Sequence, residues 1–526
     1  MNTGWFTADG WLNQTILAVG DWMWTYVMLA ALVLCSLYFT LRTRGVQFTM
    51  LREMVHLLLH DSTNMPAPAD PEEQPSEIDP ETGDGGDGSP VSQLAAETGE
   101  PSPRATEDSK SSESSKNSQA AAKSEISSLQ AFAVSIAARV GTGNLAGVAT
   151  AIAVGGPGAV FWMWALALLG SSMAFVESTL AQLYKRRRTD SFVGGPAYYI
   201  MYGLHCRWLA VVFAILVPIT FGMSFNMIQA NTICGAMQNA FGVSPIIAGV
   251  VMAGLALFIA FGGIQRISTF SNIVVPVMAV GYLLIALVVI ALNITKLPEV
   301  LRLIVEGAFG WEPVAGGTLG TTIIVGVKRG LFSNEAGEGS TPNIAATAAV
   351  SHPVKQGLVQ ALGVFTDTLL VCSCTAFIIL LSGVYTTPGL NGVDMTQAAL
   401  QSQIGTIGPA FVAIAITMFA FTSIMGFTYY GEANIRFLTS RRWPLTVFRF
   451  ISAGGVVILG GLSTLEMVWN IGDVFMAIIT AVNLTAIVLL GRKAFVLLDD
   501  YRRQKRAGVD SPVYHNTTDP DVTAWR

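Results

Sequence analysis

Arg139-Val140-Gly141-Thr142-Gly143-Asn144-Leu145-Ala146-Gly147 interrupts one apolar run of this chain, and Arg329-Gly330-Leu331-Phe332-Ser333-Asn334-Glu335-Ala336-Gly337 interrupts another 190 positions later. Arg, Asn, Ala and Gly keep the same relative places in both. Without their glycines and polar groups, both runs would read as ordinary membrane helices. Glycine weakens a helix by about 1 kcal/mol relative to alanine. In lipid, backbone freed from the helical ladder must find another partner, so irregular backbone survives only where it lines a cavity. Two discontinuous helices in matching places of two halves point to the binding site of a transporter.

Composition sets the solvent. The 526 residues are 52% hydrophobic and 12% charged, with a mean hydropathy of +0.53. Soluble domains carry roughly 25% charged residues, so the chain reads as an all-α integral membrane protein. The net charge of −5 is uneven: residues 61–125 hold 15 Asp/Glu against 4 Lys/Arg, leaving 20 acidic and 26 basic residues elsewhere. A basic remainder suits cytoplasmic loops beside an anionic leaflet and is no argument for nucleic acid. The five cysteines form no CxxC pair and read as buried thiols. The first apolar run lacks a basic flank and an A-x-A cleavage site, and reads as a retained helix.

About 20 apolar residues span a bilayer. Runs of that kind fall near 22–41, 127–154, 161–183, 208–230, 246–263, 270–292, 319–349, 357–381, 409–437, 445–462 and 468–490, giving 11 expected spans. Residues 1–60 hold the first, peripheral helix and a helix lying in the interface over 46–60. Residues 61–125, rich in Pro, Gly, Ser and acids, are expected to be a disordered linker. Residues 126–493 form a ten-helix core, and 494–526 a cytoplasmic tail. Basic clusters at Lys185–Arg188, Lys355, Arg436, Arg441, Arg442, Arg492 and Lys493 put those ends in the cytoplasm, with the N-terminus outside and the C-terminus inside. The 190-residue offset maps core spans one to five onto six to ten. Five is odd, so the halves (about 127–293 and 317–490) form a 5+5 inverted repeat with discontinuous first and sixth core helices.

A broken helix exposes two half-helix ends at mid-membrane. N-terminal ends suit a carboxylate, whereas C-terminal ends and free carbonyls suit an ammonium group or a small hard cation. A zwitterionic amino acid with Na+ satisfies both polarities.

Gly155-Gly156-Pro157-Gly158-Ala159-Val160-Phe161-Trp162-Met163-Trp164 resembles the signature of the sodium:alanine (alanine/glycine:cation) symporter family. Val140–Ala149, Phe192–Tyr199 and Arg329–Gly337 resemble that family's stretches in the same order. The resemblance covers nearly everything except the 61–125 insert and the C-terminal tail. It implies a leucine-transporter-like fold importing small neutral amino acids (alanine, glycine or D-alanine) with Na+, in a bacterial inner membrane. The alternative is a proton-coupled carrier without sodium. No cofactor is implied beyond Na+ as coupling ion, and the partners are the amino acid, Na+ and the lipid bilayer.

Carried over residue by residue, the resemblance puts the Thr142 and Gly143 amides on the substrate carboxylate, beside Asn144. The Ala137 and Val140 carbonyls and the Thr422 and Ser423 hydroxyls make a sodium site. At the second break, the Gly330 and Leu331 carbonyls with Phe332, Ser333 and Asn334 surround the amine and side chain. Asn226 and Gln229 either cap the carboxylate or act as polar glue between helices.

Membrane-embedded charges read as functional by default. Arg139 with Glu177, and Arg329 or Lys328 with Glu335 or Glu338, are expected to form internal pairs that lock or gate the halves. Asp367 is the free carboxylate best placed for a proton or cation role. Glu338 stands where the family is expected to carry an apolar residue, so its charge bears on coupling or substrate size. A membrane enzyme would need a His, Ser or metal cluster at membrane depth, and all five histidines fall at interfaces, loops or tails. A channel usually relies on a symmetric oligomeric filter, which an internal repeat with its own breaks does not suggest. With no Walker pattern, direct nucleotide drive is not expected.

Overall fold

The computed structural model describes residues 11–60, 126–188, 191–310 and 318–525. The linker expected over 61–125 lies outside the described residues. Among the described residues the architecture is helical apart from a two-stranded ribbon, Arg186–Arg187 with Phe192–Val193, and an isolated bridge between Ile126 and Ala348.

A peripheral helix, Gln14–Arg42, precedes the core. Core helix 1 is the bent pair Ser128–Arg139 and Gly143–Gly155, followed by core helices 2 (Ala159–Leu183), 3 (Arg207–Phe241), 4 (Pro245–Ala260) and 5 (Gly263–Leu292). Core helix 6 is Leu319–Asn334 with the short Pro342–Ala345. Core helices 7 (Pro353–Ser382), 8 (Ile407–Leu438), 9 (Arg442–Leu462) and 10 (Leu465–Arg506) complete it. Among the described residues eight helices are long and apolar enough to cross a membrane, nine with the bent pair counted as one. The other two of the 11 expected spans coincide with the 16-residue Pro245–Ala260 and the broken core helix 6.

The two broken helices run antiparallel. At one end the Ala349 amide donates to Ile126 O (3.0 Å), and at the other the Thr322 hydroxyl donates to Gly155 O (2.7 Å). Opposed directions are what an inverted arrangement of the two halves requires. Core helix 1 starts with a capping box, in which Ser127 Oγ accepts from the Gln130 amide and Gln130 Oε1 from the Ser127 amide. Core helix 6 packs small residues onto core helix 2. A Cβ at Gly326 would meet Ala159 O at 2.5 Å, and one at Gly330 would meet Met163 Cα at 3.2 Å.

Some boundaries differ from the sequence reading. Core helix 3 runs on to Phe241 rather than stopping near Ala230. Core helix 10 does not give way to a tail at 494 but continues to Arg506, because Leu490, Ala494, Leu497, Leu498 and Tyr501 keep a buried stripe at helical spacing. An unforeseen helix, Gly392–Ile404, starts where the Asn391 side chain accepts from the Gly392 amide. The 46–60 segment forms Val46–Thr49 and Leu51–His60, with Met54 and Leu57 buried.

The residues after Arg506 fold back over one end of the bundle. The Tyr514 amide donates to Ser351 O (2.9 Å), the Lys355 ammonium to Ser511 Oγ (2.8 Å) and the Trp525 indole to Gln182 O (2.8 Å). Lys493 pairs with Asp519 at 2.8 Å, and Lys185 lies over the Trp525 ring. His352 is buried beneath Tyr501 and Tyr514, 3.4 Å from Asp500. Burial pushes its imidazole down to about 4, against the opposing hydrogen bond and charge of Asp500.

Candidate functional site

The first break begins where Val140 turns extended (φ −78°, ψ 90°) and the helical ladder stops. Side chains replace it: Asn144 Oδ1 accepts from the Gly141 amide and Gln229 Oε1 from the Thr142 amide, both at 2.9 Å. Backbone unwound at membrane depth is thus satisfied from core helices 1 and 3, as a dry interior demands. The chain then resumes through a π-helical turn, Gly143–Gly147, a feature frequent at functional sites.

On the other side of this break lies core helix 8. Ser423 Oγ donates to Ala137 O at 3.0 Å and Thr422 Oγ1 to the same carbonyl at 3.2 Å, while both also reach Phe419 O in their own helix. Gly141 has no room for a side chain, since a Cβ there would overlap Ser423 Oγ and stand 2.9 Å from Gln229 Oε1. Three oxygens expected at a sodium site therefore converge in the structure, and the fourth, Val140 O, belongs to the residue that opens the break.

The second break is displaced from its expected place. Helix persists through Asn334, and the Leu331 carbonyl is taken by the Glu335 amide at 2.8 Å. Gly330 faces Met163 on core helix 2. Gly330 and Leu331 thus serve helix and packing, and do not present free carbonyls to the cluster. Unwinding falls at 335–341, where Glu335 (φ 56°), Gly337 (φ 90°) and Gly339 (φ 78°) adopt left-handed backbone. Glu177 holds this segment: its Oε1 accepts from the Gly337 amide and its Oε2 from the Gly339 amide, both at 3.1 Å, and Oε2 also from Asn483 (2.8 Å).

Asp367 joins the two broken helices. It sits in a π-helical stretch of core helix 7, Phe365–Cys372, fully buried. It accepts from Asn144 Nδ2 (2.7 Å), Ser333 Oγ (2.7 Å) and Thr368 Oγ1 (2.9 Å). Phe332 closes the cluster on another side. Its ring lies 4.7 Å from those of both Phe225 and Trp469, and a Cβ at Gly143 would stand 3.1 Å from Phe332 Cδ1. Asn334 turns to Thr368 and the Ala336 amide.

Of the pair considered on core helix 3, only Gln229 reaches the break. Asn226 donates to Thr428 Oγ1, Ser452 Oγ and Gly222 O, tying core helices 3, 8 and 9 together. Among the charges, Arg139 donates to Gln360 O (3.1 Å) and Thr341 Oγ1 (3.0 Å) and does not pair directly with Glu177. Arg329 and Lys328 pair with neither Glu335 nor Glu338. Both meet Asp473 of core helix 10, at 2.6 and 3.3 Å, and Arg329 stacks over Trp469. Asp473 and Trp469 lie in an apolar helix that carries no break or motif, and their one sequence signal is Asp473 as an acid inside a hydrophobic run. Glu335 Oε2 accepts from Ser340 Oγ at 2.5 Å.

A model of the "Sodium:alanine symporter family" matches residues 9–71 and 106–516. The amino-acid carrier protein AlsT of Bacillus subtilis is 53% identical over 390 residues, 74% of this chain and 83% of that protein. The probable sodium/glutamine symporter GlnT of the same species is 42% identical over 504 residues, 96% of this chain and 93% of that protein. The sodium/proton-dependent alanine carrier protein of Bacillus sp. (strain PS3) is 40% identical over 411 residues, 73% of this chain and 90% of that protein.

Proposed function

The chain belongs to the sodium:alanine symporter family, and from that premise we propose that it imports a small neutral amino acid together with Na+ by alternating access. It is a multi-pass membrane transporter, not an enzyme. The observation that carries the ion assignment is the convergence of the Thr422 and Ser423 hydroxyls on Ala137 O at the mouth of an unwound segment. Uncharged oxygens of this kind suit Na+, and with Val140 O they form the proposed sodium site.

The substrate is placed beside it. The Thr142 and Gly143 amides, at the start of a helical half, face its carboxylate, with Gln229 moving from the Thr142 amide to help hold it. Asp367 supplies the negative charge for its ammonium group, steadied by Asn144, Ser333 and Thr368. Phe332 and Trp469 bound the side chain. Alanine, glycine and D-alanine are the expected substrates. Glutamine belongs in the same assay, because one relative matching nearly the whole chain is a probable sodium/glutamine symporter.

The setting is a bacterial inner membrane with the C-terminus in the cytoplasm. In support, Lys185–Arg188, Lys355, Arg436 and Lys493 gather at one end of the bundle, where Arg188 donates to Arg436 O and Lys493 meets the tail. The test is uptake of labelled alanine or glutamine into proteoliposomes, with an inward Na+ gradient or with choline. Sodium-dependent accumulation is expected; accumulation that ignores sodium would overturn the assignment.

A further inference from the structure

The unwound segment of core helix 6 holds a carboxylate that the sodium and substrate sites leave unused. Glu338 is fully buried, and neither of its carboxylate oxygens has a hydrogen-bond partner. The charged and titratable groups whose fields reach it are Glu335 on its own segment, Glu177 on core helix 2, Arg139 on core helix 1 and Tyr430 on core helix 8. Glu177 is engaged by Gly337, Gly339 and Asn483, and Glu335 by Ser340. The Arg139 guanidinium spends both terminal nitrogens on Gln360 and Thr341. One cation thus faces three acids, and Glu338 alone among them has no donor.

An ionised carboxylate in such a place carries a desolvation penalty that a partner or a proton must remove. Among the described residues no group of three or more acids, histidines or cysteines has an arrangement that would hold a metal ion. The surroundings are also tight: a Cβ at Gly339 would stand 2.9 Å from Asn483, Phe213 and Pro196 side chains. A proton is the ligand that needs no room.

We propose that Glu338 is a proton-binding site of the transport cycle, protonated while the segment 335–341 is enclosed and deprotonated when that segment opens to water on the cytoplasmic side. On release the carboxylic O–H bond breaks, the proton passes to water, and the carboxylate left behind is solvated. Reprotonation from the outside restores the enclosed state, so each cycle carries one proton along with the amino acid and Na+. This rests on the symport reading above; one relative is named a sodium/proton-dependent carrier, and what is added here is the residue that would carry the proton.

The test uses the full chain in proteoliposomes loaded with a pH-sensitive dye. Wild type, Glu338→Gln and Glu338→Met are compared under an inward Na+ gradient at equal pH, and under equal Na+ with the outside acid. Wild type is expected to acidify the lumen only when alanine (or glutamine) and Na+ are added together, and to accumulate substrate from the proton gradient alone. The two variants are expected to keep sodium-driven uptake and lose both proton responses. Sodium-driven uptake by wild type without substrate-dependent acidification would overturn the proposal whatever the variants do. Unchanged acidification by either variant would overturn it equally. Absence of sodium-driven uptake in wild type would overturn the symport reading and this proposal with it.

Discussion

Ser423 on core helix 8 places its hydroxyl 3.0 Å from the carbonyl of Ala137 on core helix 1, a partner 286 residues away. Thr422 reaches the same oxygen. Removing both hydroxyls takes two of four proposed ligands from Na+. Thr422→Ala with Ser423→Ala should raise the Na+ concentration for half-maximal uptake by at least about tenfold, equivalent to about 1.4 kcal/mol. Titrating uptake against Na+ at saturating amino acid checks this, and an unchanged curve would rule the site out.

Gly141 is the close-approach position beside that contact. Gly141→Ala forces its methyl group into Ser423 Oγ and against Gln229. Sodium-dependent uptake should fall by roughly 5- to 150-fold, the factor to which the 1–3 kcal/mol cost of overpacking corresponds. Gly141→Ala combined with Ser423→Gly should recover protein yield and melting temperature but not sodium affinity. Recovery of neither would mean that the clash lies elsewhere.

Gln229 and Asn226 sit one helical turn apart and should behave differently. Gln229→Ala removes the side-chain amide proposed to help hold the substrate carboxylate and should raise the substrate concentration for half-maximal uptake. Asn226→Ala removes contacts to Thr428 and Ser452 and should lower thermal stability by roughly 1–3 kcal/mol, leaving that concentration unchanged. Uptake curves and detergent melts on both variants separate the two roles.

Asp473 receives both Arg329 and Lys328 in a region where the Arg329 and Asp473 side chains are each 7% exposed. Asp473→Asn strands Arg329, while Lys328 keeps Asp21 at 4.0 Å, and should destabilise the protein by about 3–5 kcal/mol. Adding Arg329→Gln to that variant should restore part of the loss, which a melting curve would read. If the double variant melts no higher than Asp473→Asn alone, the pair does not carry the stability.

His352 offers a pH test outside the membrane core. Its imidazole, lowered to about 4 when buried, regains an ordinary value near 6.5 on unfolding. Between those values the unfolded chain binds the extra proton, so stability is present above about pH 6.5 and is lost as pH falls towards 4. Thermal melts at pH 7 and pH 4.5 should show a smaller acid-induced drop for His352→Gln than for wild type. An equal drop would place the sensitivity in other groups.

The breaks and their polarity were legible because glycine and asparagine are costly in a membrane helix and therefore stand out. The Thr422–Ser423 pair was reached only through resemblance, since lone hydroxyls in apolar helices carry no pattern of their own. The second break lies later in the chain than its sequence suggests. Phe332, Ser333 and Asn334 look like the first break by position, yet they keep helical hydrogen bonds, and the unwinding falls to Glu335 and the two glycines after it. Charge partners were the least legible. Arg329 and Asp473 are separated by 144 positions, and only tertiary packing brings the two together.

The fold-back of the C-terminal residues also has a bearing on biosynthesis. The Trp525 indole must find Gln182 O, made 343 residues earlier. At about 5–20 residues per second on the ribosome, roughly 20–70 s separate the two. During that interval Gln182, Lys185 and, once it is made, Ser351 await the groups that later cover them. Membrane insertion and completion of this surface are therefore separate events, and a nascent chain halted before Tyr514 would be inserted yet unfinished.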